Sequence, residues 1–223
     1  RIPSWVPPLA RRGLWAALDQ WKLEPMARPA LRRWQITWAT PDIPGSVFGD
    51  WLHSPDGGLA MYPSWFAEVP QSWRTRGVVQ TGFPVFEPRH PEPLSPDLRA
   101  FLDAHGEPVV VYPGSAAGPA QHFTEMVLAA CRRLSVPAVV LAPHLHAAPA
   151  VSIGGSTGVH SIRHATLSLL LPSAAVFVHH GGIGSVAQAF AHGVPQLILA
   201  SAYDQFENGY RVADRAAGLS IPL

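Results

Sequence analysis

Val176–Asn208 reads VFVHHGGIGSVAQAFAHGVPQLILASAYDQFEN. Ala174–His179, which overlaps its start, is a short apolar run ending in a histidine and followed by another, His180, the pattern of a buried strand. Gly181–Ser185 supplies a glycine-rich turn. Val186–His192 then predicts a helix, closed by Gly193 and Pro195. Gln196–Ala200 predicts the next strand. Asp204, with Glu207 three residues on, predicts a capping box that opens a helix running to about Ala217, with Gly218 ending it.

The same rhythm extends upstream. Pro108–Tyr112 predicts a buried strand and Pro113–Ala116 a turn. Pro119 suits the first helical position, and Phe123, Met126, Val127, Ala130, Cys131 and Leu134 recur on one helical face. Val136–Ala142 predicts a second strand, residues 143–158 a loop, and Leu167–Leu171 a short helix. Strands alternating with helices mean an α/β domain, a Rossmann-like parallel sheet with helices on both faces. Ligands bind at the carboxyl ends of the strands of such sheets. That rule selects three turns: Pro113–Ala116, His179–Ser185 and Ser201–Gln205.

The turn from His179 to Ser185 has the chemistry of a diphosphate cradle. Glycines let backbone N–H groups approach a phosphate, and a helix N-terminus adds about half a positive charge. Ser185 offers a hydroxyl and His180 a ring donor. One alternative stays open on spacing alone. Gly182, Gly184 and Ala187 also match the G-x-G-x-x-A fingerprint of dinucleotide folds, with Asp204 about 20 residues on. Two histidines at the strand end, and an Asp placed to cap the next helix, argue against it.

Composition sets the bounds. The chain has 223 residues, 48% hydrophobic and 14% charged, enough to bury a core. A net charge of +1 gives no electrostatic case for nucleic acid or an anionic membrane. Cys131 is the single cysteine, which excludes an intrachain disulfide or a thiolate metal cluster and fits a reducing cytoplasm. The longest apolar run, Leu167–Val178, contains Pro172 and falls short of a transmembrane helix. His144 and His146 have H-x-H spacing but no evident third ligand, so they are expected to face solvent. All eight tryptophans (Trp5, Trp15, Trp21, Trp34, Trp38, Trp51, Trp65 and Trp73) precede position 74. That shift predicts two parts: 1–76, with helices around Arg11–Trp21 and Pro29–Gln35 separated by Pro-rich turns, and 77–223, the sheet domain. The tryptophans are expected to be core. Residue 1 is Arg, and Ile221-Pro222-Leu223 stands where another strand is due, so a longer protein is expected.

The order H-x-G-x-G-S, then G-V-P, then a D-Q pair opening a helix resembles the donor-binding signature of nucleotide-sugar-dependent glycosyltransferases with two Rossmann-like domains (GT-B, family 1 and family 28 type). Bacterial antibiotic and rhamnolipid members are the most similar. LAMYPSWFAEVPQSW and TGFPVF within Asp56–Phe86, and VVVYPGSA within Val109–Leu141, extend the resemblance over about three quarters of the chain. It implies that this is the C-terminal, donor-binding half, preceded by a mostly helical remnant of the N-terminal acceptor domain. It implies inverting, metal-independent, cofactor-free transfer of a hexose from a nucleoside-diphosphate sugar, of the UDP-glycosyltransferase type, to an acceptor hydroxyl.

Carried over by position, His180, Gly182, Gly184 and Ser185 face the diphosphate, and Asp204 and Gln205 read the sugar. Gly114 and Ser115 approach the phosphates from the neighbouring strand, and His164 lies beside the nucleobase. The sequence departs from the family at Thr166 and Leu167, which follow His164, and at Gln188, where many members bind ribose with Glu. The catalytic base is expected in the N-terminal domain, ahead of Arg1. An NAD(P)-binding oxidoreductase domain, an epimerase sharing the architecture, and a non-catalytic glycosyltransferase-like partner remain as other readings of the same pattern.

Overall fold

The computed structural model describes residues 5–42, 45–48, 53–85, 89–114, 117–141, 152–153 and 156–223. The chain divides into two compact units, Arg1–Thr81 and Gly82–Leu223.

In the first unit, α1 (Pro8–Leu18) passes through a π-helical turn, Asp19–Leu23, into α2 (Glu24–Trp38). The expected break between two shorter helices is absent. Pro8 and Pro25 fall in first turns, where a missing N–H costs little. The π turn carries the chain across, with the Glu24 N–H donating to the Asp19 carbonyl, and Pro29 lies inside α2. Arg28 bonds the Gly45 carbonyl and pairs with Glu24 at 2.6 Å. The tryptophans are not core, contrary to expectation. α2 buries no residue, and Trp5, Trp15, Trp21, Trp34, Trp38, Trp65 and Trp73 are all exposed, Trp21 by 81%. Trp51 lies outside the described residues. The core of this unit is built instead from Ala60, Phe66, Ala67 and Val69. It lies around a parallel pair that the sequence did not announce, β1 (Gly58–Ala60) and β2 (Val78–Gln80), with the one-turn α3 (Gln71–Arg74) between them.

The second unit begins with α4 (Pro96–His105), opened by the Ser95 hydroxyl accepting the Leu98 N–H. Next come β3 (Val109–Tyr112), α5 (Ala117–Leu134) and β4 (Ala138–Leu141). A small antiparallel pair, β5 (Ser152–Ile153) and β6 (Ser156–Thr157), precedes β7 (Val159–Ile162). Then follow α6 (Leu167–Leu170), β8 (Val176–His179), α7 (Ile183–Ala191), β9 (Gln196–Ala200), α8 (Gln205–Asp214) and β10 (Gly218–Pro222). The main sheet has the order β10-β9-β8-β3-β4-β7, and every pair in it is parallel.

Strand alternation sorts the core to two faces. Val111, Val140 and Val178 pack against Phe123, Val127, Leu128 and Cys131 of α5. Val110, Val139 and Phe177 point the other way, onto Leu98 of α4, Leu170 of α6 and Ala189 of α7. Leu98, Leu128 and Phe177 are fully buried, each contributing about 1.5–3 kcal/mol of transfer free energy. The fold class expected from the sequence is the one observed.

Three details differ. α5 starts at Ala117, two residues before Pro119. β7 extends the sheet beyond β4 where no strand was expected. Gly218 opens β10 rather than only ending α8, which stops at Asp214. Its lack of a side chain is needed there, since a Cβ would meet the Gln196 carbonyl oxygen at 2.0 Å.

Candidate functional site

The sheet order places β9, β8 and β3 side by side, so the three turns selected from the sequence adjoin one another at the carboxyl end of the sheet. They also interlock. Gly114, with φ +96°, lies against the His180 ring, where a Cβ would meet Nδ1 at 2.8 Å. A Cβ on Gly182 would meet His180 Nε2 at 2.5 Å. The imidazole is thus held between two glycine backbones, with Tyr112 edge-on at 5.9 Å between ring centroids. Gly181, at φ +92°, packs on Ile198 and on the backbone of Gln205, where a Cβ would meet Ile198 Cγ2 at 2.7 Å. The turn after β8 is therefore wedged between its two neighbours.

Gly182 is the N-cap of α7, and no side chain caps this helix. The first bond of the helix is the Val186 N–H to the Gly182 carbonyl. The preceding N–H groups, at Ile183, Gly184 and Ser185, are those that a helix start leaves without an intrahelical acceptor. Nothing lies within 4 Å of a Cβ built on Gly184, so the space beside that residue is open. Ser185 is buried at the third helical position. His180 is half-buried, and its Nδ1 has no hydrogen bond of good geometry. Burial lowers its pKa, opposed by the Tyr112 carbonyl and the Asp204 carboxylate, both of which favour the protonated ring.

His179 is a different residue in kind. It is fully buried, and burial drives its pKa down to about 3. Its Nδ1 accepts the Gly181 N–H at 3.1 Å, which makes Nε2 the protonated nitrogen, 3.1 Å from Gln196 Oε1. The role is structural: a neutral ring bracing the turn.

At the neighbouring turn the expected capping box does not form. Asp204 is the N-cap residue of α8 but caps no backbone N–H, and Glu207 pairs with Arg211 at 2.6 Å. Gln205 organises the turn instead, its Oε1 accepting from the N–H groups of Ser201 and Ala202 and from the Ser201 hydroxyl. That oxygen is already committed to the loop, which bears on the sugar-reading role expected of Gln205. Asp204 is exposed beyond the tip of β9, a position that does not suit the carboxylate of a dinucleotide fingerprint.

Asn208 was not anticipated. It is 6% exposed, and its Nδ2 donates to the Gly181 carbonyl at 2.9 Å and to Asp204 Oδ2 at 2.8 Å. The signal was available, because Asn208 stands one helical turn after Asp204, but its partner in the other turn was not readable.

His164 stands apart. It follows β7, three strands away from β8 in the sheet, roughly 14 Å at the usual interstrand spacing. It is exposed and lines a cavity of about 480 Å³ with Glu92, Ser95, Arg99 and Thr166. The Thr166 hydroxyl donates to the Glu92 carbonyl at 2.8 Å, a tie that proline could not make. Ser115, His144 and His146 lie outside the described residues. Among the described residues no group of three His, Cys, Asp or Glu side chains is placed to hold a metal ion, and no helix is long and apolar enough to cross a membrane.

Residues 126–223 match the family described as erythromycin biosynthesis protein CIII-like, C-terminal domain. Glycosyltransferase GtfC of Amycolatopsis orientalis is 32% identical over 64% of the chain and 34% of its own length. L-demethylnoviosyl transferase of Streptomyces niveus is 44% identical over 27% of the chain and 17% of its length. The chain thus spans a third or less of these curated relatives. Among solved structures, the glycotransferase of kitacinnamycin superposes with a TM-score of 0.67 at 21% identity, covering 97% of this chain and 55% of that one. The glycosyltransferase VinC, solved in complex with dTDP, gives 0.50 at 26% identity over 74% of this chain and 39% of its own. Residues 126–223 are therefore similar to the C-terminal domain of the erythromycin biosynthesis protein CIII-like family, and the fold is that of the GT-B glycosyltransferases.

Proposed function

We propose that this chain is the donor-binding half of an inverting glycosyltransferase, holding a nucleoside-diphosphate sugar while its sugar passes to an acceptor hydroxyl. The observation that carries the reading is the interlocked triplet of turns. A helix N-terminus with no side-chain cap and with open space beside Gly184 adjoins a histidine pinned by Gly114 and Gly182, with a carboxylate one strand away.

The chemistry follows from charge. Transfer develops negative charge on the departing diphosphate. The N–H groups of Ile183, Gly184 and Ser185, the α7 dipole and His180 are fixed before the reaction and stabilise that charge without reorganising. A bound diphosphate favours the imidazolium, so His180 takes up a proton on binding. Asp204 accepts from sugar hydroxyls. The nucleoside extends along the strand ends past Gly114 toward His164, and Ser115 adds a contact. Residues 1–76 are read as the remnant of the acceptor domain, and the general base as belonging to that N-terminal domain. The single buried thiol of Cys131 suits a reducing compartment, which supports reading the enzyme as cytoplasmic.

The nucleoside is uridine or thymidine. The test is calorimetry with UDP, dTDP, their glucose conjugates and NADH. Micromolar binding of a nucleoside diphosphate, lost in His180→Ala, is expected. Preference for NADH, or binding indifferent to His180→Ala, sinks the assignment.

A further inference from the structure

The hydrogen bonds around the two adjoining turns form one continuous chain, buried up to Asn208 and reaching the surface at Asp204. Gln196 Oε1 on β9 accepts from His179 Nε2 at the end of β8. His179 Nδ1 accepts the Gly181 N–H. The Gly181 carbonyl accepts from Asn208 Nδ2, and the same nitrogen donates to Asp204 Oδ2. Asn208 is the only link in this chain that belongs to α8, and both hydrogens of its amide are committed. One goes to the turn before α7 and the other to the carboxylate at the head of α8.

We infer that Asn208 is a positioning residue that sets the Asp204 carboxylate at a fixed offset from the diphosphate turn, and so gives the site its ability to recognise the sugar as well as the nucleotide. The inference rests on the donor-binding reading above. The chemistry demands a neutral side chain with two divergent N–H groups at one nitrogen. Aspartate offers only acceptors and faces both the Gly181 carbonyl and Asp204. Serine has one donor and can serve one partner at a time. Leucine fills the volume and leaves both acceptors without this donor. An exposed carboxylate ordinarily samples several rotamers, and each must be frozen when it grips a hydroxyl. Holding Oδ2 in advance leaves Oδ1 aimed at a constant place and removes that entropy from the binding step. Asn208 itself is too buried to meet ligand, so it acts through Asp204.

The experiment is a double-mutant cycle on Asp204 and Asn208, reading the Kd of dTDP and of dTDP-glucose for each variant of the chain. The ratio of the two constants isolates the sugar. Asp204→Ala is expected to cut the preference for dTDP-glucose about tenfold, the value of a hydrogen bond to a charged group. Asn208→Ala is expected to cut it about fivefold, and to add no further loss of preference in the Asp204→Ala background. Asn208→Ser, which keeps one donor, is expected to fall between and serves as the test should the alanine variant not fold. If Asn208→Ala or Asn208→Ser weakens both ligands equally, the residue is structural and the inference is overturned. An unchanged loss of preference in both backgrounds also overturns it, because Asn208 then acts without Asp204. Should Asp204→Ala itself leave the preference untouched, it is the sugar-reading role of Asp204 in the proposed function that fails.

Discussion

The turn after β8 is shaped by close-packed glycine backbone, braced by His179 and Asn208, and the turn after β9 is held by side chains. Gly181 and Gly182 pass so close to Ile198 and His180 that no Cβ fits. Ser201–Asp204 is kept in shape by the amide oxygen of Gln205 and by Asn208. The materials suit different tasks. A diphosphate is the same in every sugar nucleotide, and a rigid backbone cradle holds it with no side-chain entropy to lose. Sugars differ in their hydroxyls, and a side-chain-built turn can be retuned by one substitution without rebuilding the fold.

The contrast predicts that the close-packed glycine Gly181 of the β8 turn fails as a structure when altered, that His180 and Gly184 fail as anion binders, and that the β9 turn fails as a reader. Gly181→Ala combines a left-handed φ with a clash and is expected to cost about 2–4 kcal/mol of stability by denaturant titration. A cost under about 0.5 kcal/mol would show that the turn yields, and the contrast would break. His180→Ala is expected to cost about 1.5–3 kcal/mol in diphosphate affinity with little change in stability. Because burial lowers the free-state pKa of His180 and a bound dianion raises it, wild-type affinity should grow as pH falls below neutral, and the variant should lack that gain.

His179 sharpens the comparison through stability. Its pKa of about 3 in the fold lies below the ordinary imidazole value near 6.5. Between those values the unfolded chain holds the proton and the folded chain does not, so stability rises with pH across that window and is lost as pH falls through it. The slope from this group is at most about 1.4 kcal/mol per pH unit, and His179→Gln is expected to flatten it in chemical denaturation from pH 6.5 to 4. The smallest effect is at Gly184, where a methyl group meets nothing within 4 Å. Gly184→Ala should raise stability by about 0.5–1 kcal/mol through helix propensity while weakening diphosphate binding. Unchanged binding would mean that no phosphate approaches that N–H.

Much of the second unit was legible because its strands are short apolar runs set off by glycine and proline. β8, α7 and β9 were readable for that reason, and with them the three adjoining turns. β7 was not. Val-His-Ser-Ile at 159–162 is half polar and follows a glycine-rich stretch, and it becomes a strand only because β4 offers an unpaired edge. In the first unit Pro25 and Pro29 read as breaks, yet the helix runs on, because a π turn precedes them. Individual residues of the site, such as His180 and Gly182, were visible from residue type and spacing. The roles of Gln205 and Asn208 were hidden, because each depends on a partner that only the fold brings near. Asn208 and Gly181 are 27 residues apart.

The parallel order of the sheet also has a temporal consequence. Val110 pairs with Val139 on one side and with Phe177 on the other. As the chain leaves the ribosome, β3 and β4 can join early, but the second edge of β3 stays bare until β8 has been made. Pairings of this kind fold slowly, and bare strand edges recruit other chains. Gly114 and His180 therefore cannot meet until β8 has been made, and the nascent domain carries a bare β3 edge until then.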